Sequence, residues 1–86
     1  MPYHVYILYS LTRDRYYIGH TGDQPEERLR KHNTNHKGFT GKTGDWEIVY
    51  LEEYPTKELA YKRERELKSW KSRKRIEFLV GSGHPG

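Results

Sequence analysis

Glu64 stands where a charge is costly. It falls four residues after Ala60 and three before Leu67, so on a helix its carboxylate shares the apolar stripe that should face the core. A carboxylate in that position must be paired, hydrogen-bonded or metal-bound, and a divalent cation in a site near nucleic acid meets the need. On helix geometry alone the simpler account is a core Glu satisfied by Tyr hydroxyls or an Arg. Glu58 and Glu66 project elsewhere and read as solvated. Arg28 and His32 lie one helical turn apart, so both can address one point while Leu29 turns inward. Arg offers a permanently charged fork to a phosphate, and His can bond a phosphate oxygen or relay a proton. Taken alone, the pair reads as a solvated helix face. Tyr6 and Tyr17 fall in two runs of strand composition. A phenol accepts a proton only if nearby cations bring its pKa down from about 10, and most strand tyrosines are simply core.

The elements that must position these groups follow from composition and periodicity. Residues 3 to 10 are almost all aromatic, aliphatic or β-branched, as in a strand buried on both faces. A short polar segment from Leu11 to Arg15 precedes a second strand-like run, Tyr16 to Gly19, which predicts an antiparallel hairpin. Asp23 and Pro25 with Glu26 and Glu27 make a helix start, so a helix is expected from about Pro25 to Asn33. Thr34 to Asp45, rich in Gly and Lys, reads as a mobile loop. Trp46 to Tyr54 has strand composition, and Pro55-Thr56 ends it and caps a helix from Lys57 to Trp70. Ser72 begins a last short helix reaching Val80. The order ββαβαα predicts an α+β domain over residues 1–80, a small three-stranded antiparallel sheet flanked by helices. Residues 81–86 are expected to form a disordered tail.

Length and composition bound the rest. With 86 residues the chain fits one domain, whose core buries only about 60% of the unfolded surface. Eight Tyr and two Trp supply large buried areas per residue. There is no Cys, which removes disulfides and thiolate zinc sites. No apolar run approaches the roughly 18 residues of a membrane span, and the amino terminus lacks signal-peptide features, so a soluble, cytoplasmic protein with no membrane partner is expected. The net charge of +4 is unevenly spread: Lys57 to Arg75 holds nine Lys/Arg against three Glu. Such a run is usually a solvated helix face, but it also suits a polyanion. Lys62, Arg65, Lys68, Arg73 and Lys74 are the candidate phosphate contacts. P-loop, dinucleotide, paired-His zinc and nucleophile-elbow motifs are all missing.

Val5-Tyr6-Ile7, then Tyr17-Ile18-Gly19 followed by His20-Thr21, then Arg28 to Asn33, then Ala60 to Glu64, in that order, resemble the GIY-YIG nuclease superfamily and its small stand-alone bacterial branch. The first tripeptide lacks the Gly of the family name and keeps the central Tyr; the second matches in full. The similarity spans Tyr3 to Val80. It implies a metal-dependent endonuclease that hydrolyses phosphodiester bonds in DNA, structure-selective and serving repair or recombination, with RNA left open as a substrate. It further implies Tyr6 and Tyr17 as active-site phenols, Gly19 as a point of close packing, Arg28 as phosphate stabiliser, His32 as a participant and Glu64 as ligand to Mg²⁺ or Mn²⁺. His36 aligns loosely with a second family histidine, and an Asn that some members carry near the domain's end has no counterpart. The alternatives are a catalytically weak nucleic-acid-binding module and a protein-interaction domain. A monomer is expected, with targeting left to a larger protein partner.

Overall fold

The computed structural model describes residues 2–34 and 44–82. Six elements follow one another as β1 (Tyr3–Ser10), β2 (Arg15–Thr21), α1 (Pro25–Thr34), β3 (Trp46–Tyr54), α2 (Lys57–Ser69) and α3 (Arg73–Ser82). The order is the expected ββαβαα. β1 is the central strand of an antiparallel sheet ordered β2-β1-β3. Its unbroken apolar composition follows from that place, because helices cover both faces. On one face Val5 and Ile7 pack with Tyr50, Ala60, Leu67 and Ile76 under α2 and α3; on the other, Tyr6, Leu8 and Trp46 pack with Leu29 of α1. Each fully buried aliphatic side chain contributes roughly 1.5–3 kcal/mol. A bulge leaves Val49 unmatched between the pairs Ile7–Tyr50 and Leu8–Ile48, which bends β3 beside α1.

Local chemistry sets the element ends. Thr56 caps α2 by accepting the Leu59 amide at 3.3 Å, and Glu58 in the first turn favours the same end. At the start of α1 the Glu27 amide bonds the Gln24 carbonyl at 3.0 Å, while the Asp23 amide donates to Thr21 Oγ1 at 3.0 Å. Gln24 therefore closes the first turn, in place of the expected Asp23 cap. The side chain of Asn33 clamps Trp46 from both sides, accepting its amide at 2.9 Å and donating to its carbonyl at 3.1 Å. That clamp fixes the end of α1 against β3. α3 runs on to Ser82, past the expected end at Val80. The remaining tail residues, and His36 with most of its loop, lie outside the described residues.

Candidate active site

Tyr6 sits opposite Gly19 in the β1–β2 ladder, and its ring crosses Gly19 toward the free edge of β2. A Cβ built on Gly19 would lie 2.6 Å from the Tyr6 hydroxyl and 2.7 Å from Cζ. Only glycine leaves room for the phenol to reach the edge. Tyr17, two residues earlier on β2, stacks with Tyr6 at 6.3 Å between ring centroids. His32 meets Tyr17 edge-on at 4.5 Å and Tyr6 at 6.5 Å. Trp46 closes the cluster, 6.4 Å from Tyr17 and 6.3 Å from His32. The sequence marked Trp46 only as a strand residue.

Arg28 enters from one turn earlier on α1, with its guanidinium at hydrogen-bonding range of the Tyr6 phenol. It is half-buried rather than solvated. Arg28 Nε and His32 Nε2 are both buried and have no hydrogen-bond partner among the described residues. Orphaned buried donors and acceptors are costly, and these two sit on side chains that both adjoin the Tyr6 phenol. Burial, then the Arg28 charge, holds the His32 imidazole below its ordinary value, so it is neutral at neutral pH. Burial lifts the Tyr6 phenol above its ordinary value and Arg28 only partly offsets this. The cationic lowering a phenolate needs is not supplied by the protein's own groups.

Glu64 approaches from the α2 side. It is 9% exposed, one oxygen accepts from His20 Nδ1, and the other takes the Lys68 ammonium at 2.7 Å. Burial alone would raise its pKa, but Lys68 and then His20 outweigh it, so the carboxyl titrates below its ordinary range and is ionised. Its charge is felt at Tyr6, and the Lys68 charge at Tyr17 and Tyr6. Glu64 and the phenols thus belong to one electrostatic unit across the β2 edge. Sequence reasoning missed both partners of Glu64, though both were readable: His20 alternates with Tyr16 and Ile18 toward α2, and Lys68 is the i,i+4 partner of Glu64. The Tyr-and-Arg cage expected for a structural core Glu belongs instead to Glu52. Arg63 binds it bidentately at 2.9 and 3.1 Å, Tyr54 donates at 2.6 Å, and Tyr50 donates as well.

The other basic candidates are spread out. Lys62, Arg65 and Lys74 are exposed, Arg65 donating to the Tyr61 hydroxyl at 3.2 Å. Arg73 ties α3 to the hairpin through Asp14 at 2.5 Å and also pairs with Glu77 at 3.0 Å. Among the described residues no three His, Cys, Asp or Glu side chains form a metal cluster. A single carboxylate is nonetheless enough for a mostly hydrated Mg²⁺, and the ammonium drawn to Glu64 marks a position that favours a cation.

The family described as the GIY-YIG catalytic domain matches residues 2–77. Similarity extends to a solved structure, the solution NMR structure of a UPF0213 protein from Bacillus halodurans, which is 33% identical with a TM-score of 0.61. That match covers 99% of this chain and 89% of the other. No curated protein matches the sequence. The chain belongs to the GIY-YIG family, and its three-stranded sheet and helices are those of a nuclease fold. Among the described residues no helix is long and apolar enough to cross a membrane.

Proposed function

We propose that the protein is a divalent-metal-dependent endonuclease that hydrolyses phosphodiester bonds in DNA. The observation that carries this is the pair of buried, unpartnered nitrogens, Arg28 Nε and His32 Nε2, on side chains that adjoin Tyr6 and Tyr17. A scissile phosphate placed there satisfies both: Arg28 lies against the charge that builds on the phosphoryl oxygens, and His32 bonds an oxygen or the attacking water. His32 is in its accepting form at neutral pH and can take the water's proton. Tyr6 keeps its proton and orients the water, becoming an acceptor only when further positive charge reaches it. Tyr17 positions water or phosphate from the other side.

Glu64 is the residue that would hold Mg²⁺ or Mn²⁺, with His20 orienting its carboxylate. Bound there, such a cation supplies positive charge to the leaving oxygen. Lys68 must then release the oxygen it now holds. The natural substrates in this reading are branched or nicked DNAs of repair and recombination, cut by a cytoplasmic monomer whose targeting comes from a larger partner. The test is to incubate the protein with branched, nicked and linear DNA, and with the equivalent RNAs, in Mg²⁺, Mn²⁺ or EDTA. Metal-dependent cutting of DNA supports the proposal. Retention of DNA with no cutting in any metal overturns it in favour of a binding module.

A further inference from the structure

A groove of about 600 Å³ runs from the catalytic cluster between β2 and the α2–α3 corner. Its inner end is Tyr17 and Lys68, which also belong to the active site. From there Ile18 forms part of its floor, and Arg15, Lys71 and Arg73 stand along its rim. Four basic side chains line it; Lys68 is paired with Glu64 and Arg73 with Asp14 and Glu77, and the lining's one acidic residue, Asp14, is engaged by Arg73 and the Tyr9 hydroxyl at 2.5 and 2.6 Å. Asp14 adds structure rather than open negative charge, since it ties the hairpin to α3 and so builds the outer wall.

Lys71 is the residue that makes this groove informative. It connects α2 to α3 with φ of 47°, in the left-handed region where helices commonly end on glycine and side chains are strained. Its side chain is exposed and has no carboxylate partner among the described residues. A lysine held where glycine fits better, with its ammonium over a groove that ends at the catalytic tyrosine, has a plain use as a phosphate contact.

We infer that the groove binds a single nucleic-acid strand adjoining the scissile phosphate, with Lys71 as its backbone contact. The inference rests on the nuclease reading for its catalytic end. A hollow of this size takes about one or two nucleotides, too little room for both strands of a duplex. The combination is that of single-strand sites: an aromatic ring for a base and cationic side chains, Lys71 foremost, for the backbone.

The experiment measures fluorescence anisotropy of labelled single-stranded DNA, the same sequence as RNA, and a blunt duplex of equal length, all in EDTA over a range of salt. Lys71→Gly and Lys71→Asn both suit the left-handed backbone, so neither should lower the melting temperature. Each is expected to weaken single-strand binding roughly fivefold at 0.1 M salt and to flatten the salt slope by about 0.7, the share of one phosphate contact, with little change for duplex. Lys71→Arg should bind as wild type. Whichever of the DNA and RNA strands shows the loss identifies the strand the groove takes. Single-strand affinity unchanged in both variants, or an equal loss on duplex, overturns the inference. Binding needs no metal, so a groove that passes this test in a protein that cuts nothing would sink the nuclease reading alone.

Discussion

Replacing Gly19 with Ala places a methyl carbon 2.7 Å from Tyr6 Cζ and 2.6 Å from its hydroxyl. Ordinary carbon contacts are about 3.5–4.0 Å, so the ring must retreat by roughly 1 Å. It has little space to do so: Tyr6 is 2% exposed, packed on Leu8 and Trp46 and stacked on Tyr17. Overpacking of this kind costs about 1–3 kcal/mol, which for a domain of this size lowers the melting temperature by about 4–8 °C per kcal/mol. The displaced phenol also leaves Arg28, and a misplacement of about 1 Å at a reacting centre costs on the order of 10²-fold in rate. Thermal unfolding by circular dichroism and single-turnover cleavage measure the two effects. A Tyr6→Leu substitution removes the clashing ring, so when it is already present Gly19→Ala should cost almost nothing further in stability. Equal destabilisation with and without the Tyr6 ring would refute the view that Gly19 exists to let Tyr6 cross it.

Arg28→Ala should fold normally, bind DNA with nearly unchanged affinity and cut on the order of 10²-fold more slowly, which single-turnover rates against Kd will show. Cleavage should have levelled off by about pH 7.5, one unit above the ordinary imidazole value, because the acceptor His32 titrates below that value; a rate still climbing tenfold per pH unit above pH 8 would assign the proton to Tyr6. Lys68→Met frees one Glu64 oxygen, so Mn²⁺ titration followed by electron paramagnetic resonance should show tighter binding than wild type. The Glu52 cluster sets the pH limits of stability. Burial opposes ionisation of Glu52, but Arg63, Tyr50 and Tyr54 outweigh it and hold its pKa low; stability it contributes is present above the unfolded carboxylate value, about 4.3, and lost as pH falls through the folded one. Tyr50 and Tyr54 are raised to about 12, first by burial and then by Glu52, so their share is complete below the unfolded phenol value, about 10, and lost as pH rises through the folded one. Denaturant midpoints across pH should fall at both ends, and Glu52→Gln should flatten the curve.

The strands and helices were readable because composition and periodicity act locally. β1 declared its central place by having no polar face, and Thr56 declared the start of α2. As a candidate, Glu64 was visible as a charge on an apolar stripe, and the family likeness added Tyr6, Tyr17, Arg28 and His32 as further candidates. What sequence could not supply was pairing across the fold. Glu52 drew no sequence reading of its own, yet it is the one caged by tyrosines and Arg63, because α2 brings Arg63 over β3. His20 entered only as the continuation of the Tyr-Ile-Gly run, yet strand alternation aims it at Glu64. The basic residues between Lys57 and Arg75 looked like one patch, and helix geometry divides them: Lys68, Lys71 and Arg73 line the groove, while Lys62, Arg65 and Lys74 lie outside it.

The most direct test is single-turnover cleavage of a flapped DNA by Glu64→Gln in Mg²⁺, with DNA affinity measured on the same preparation. Cleavage should fall by more than about 10²-fold with DNA binding retained or strengthened, since the substitution keeps shape and removes the charge that holds the cation. Cleavage close to wild type, accompanied only by a lower melting temperature, would make Glu64 a structural carboxylate and contradict the claim that this edge of the sheet is a metal-dependent active site.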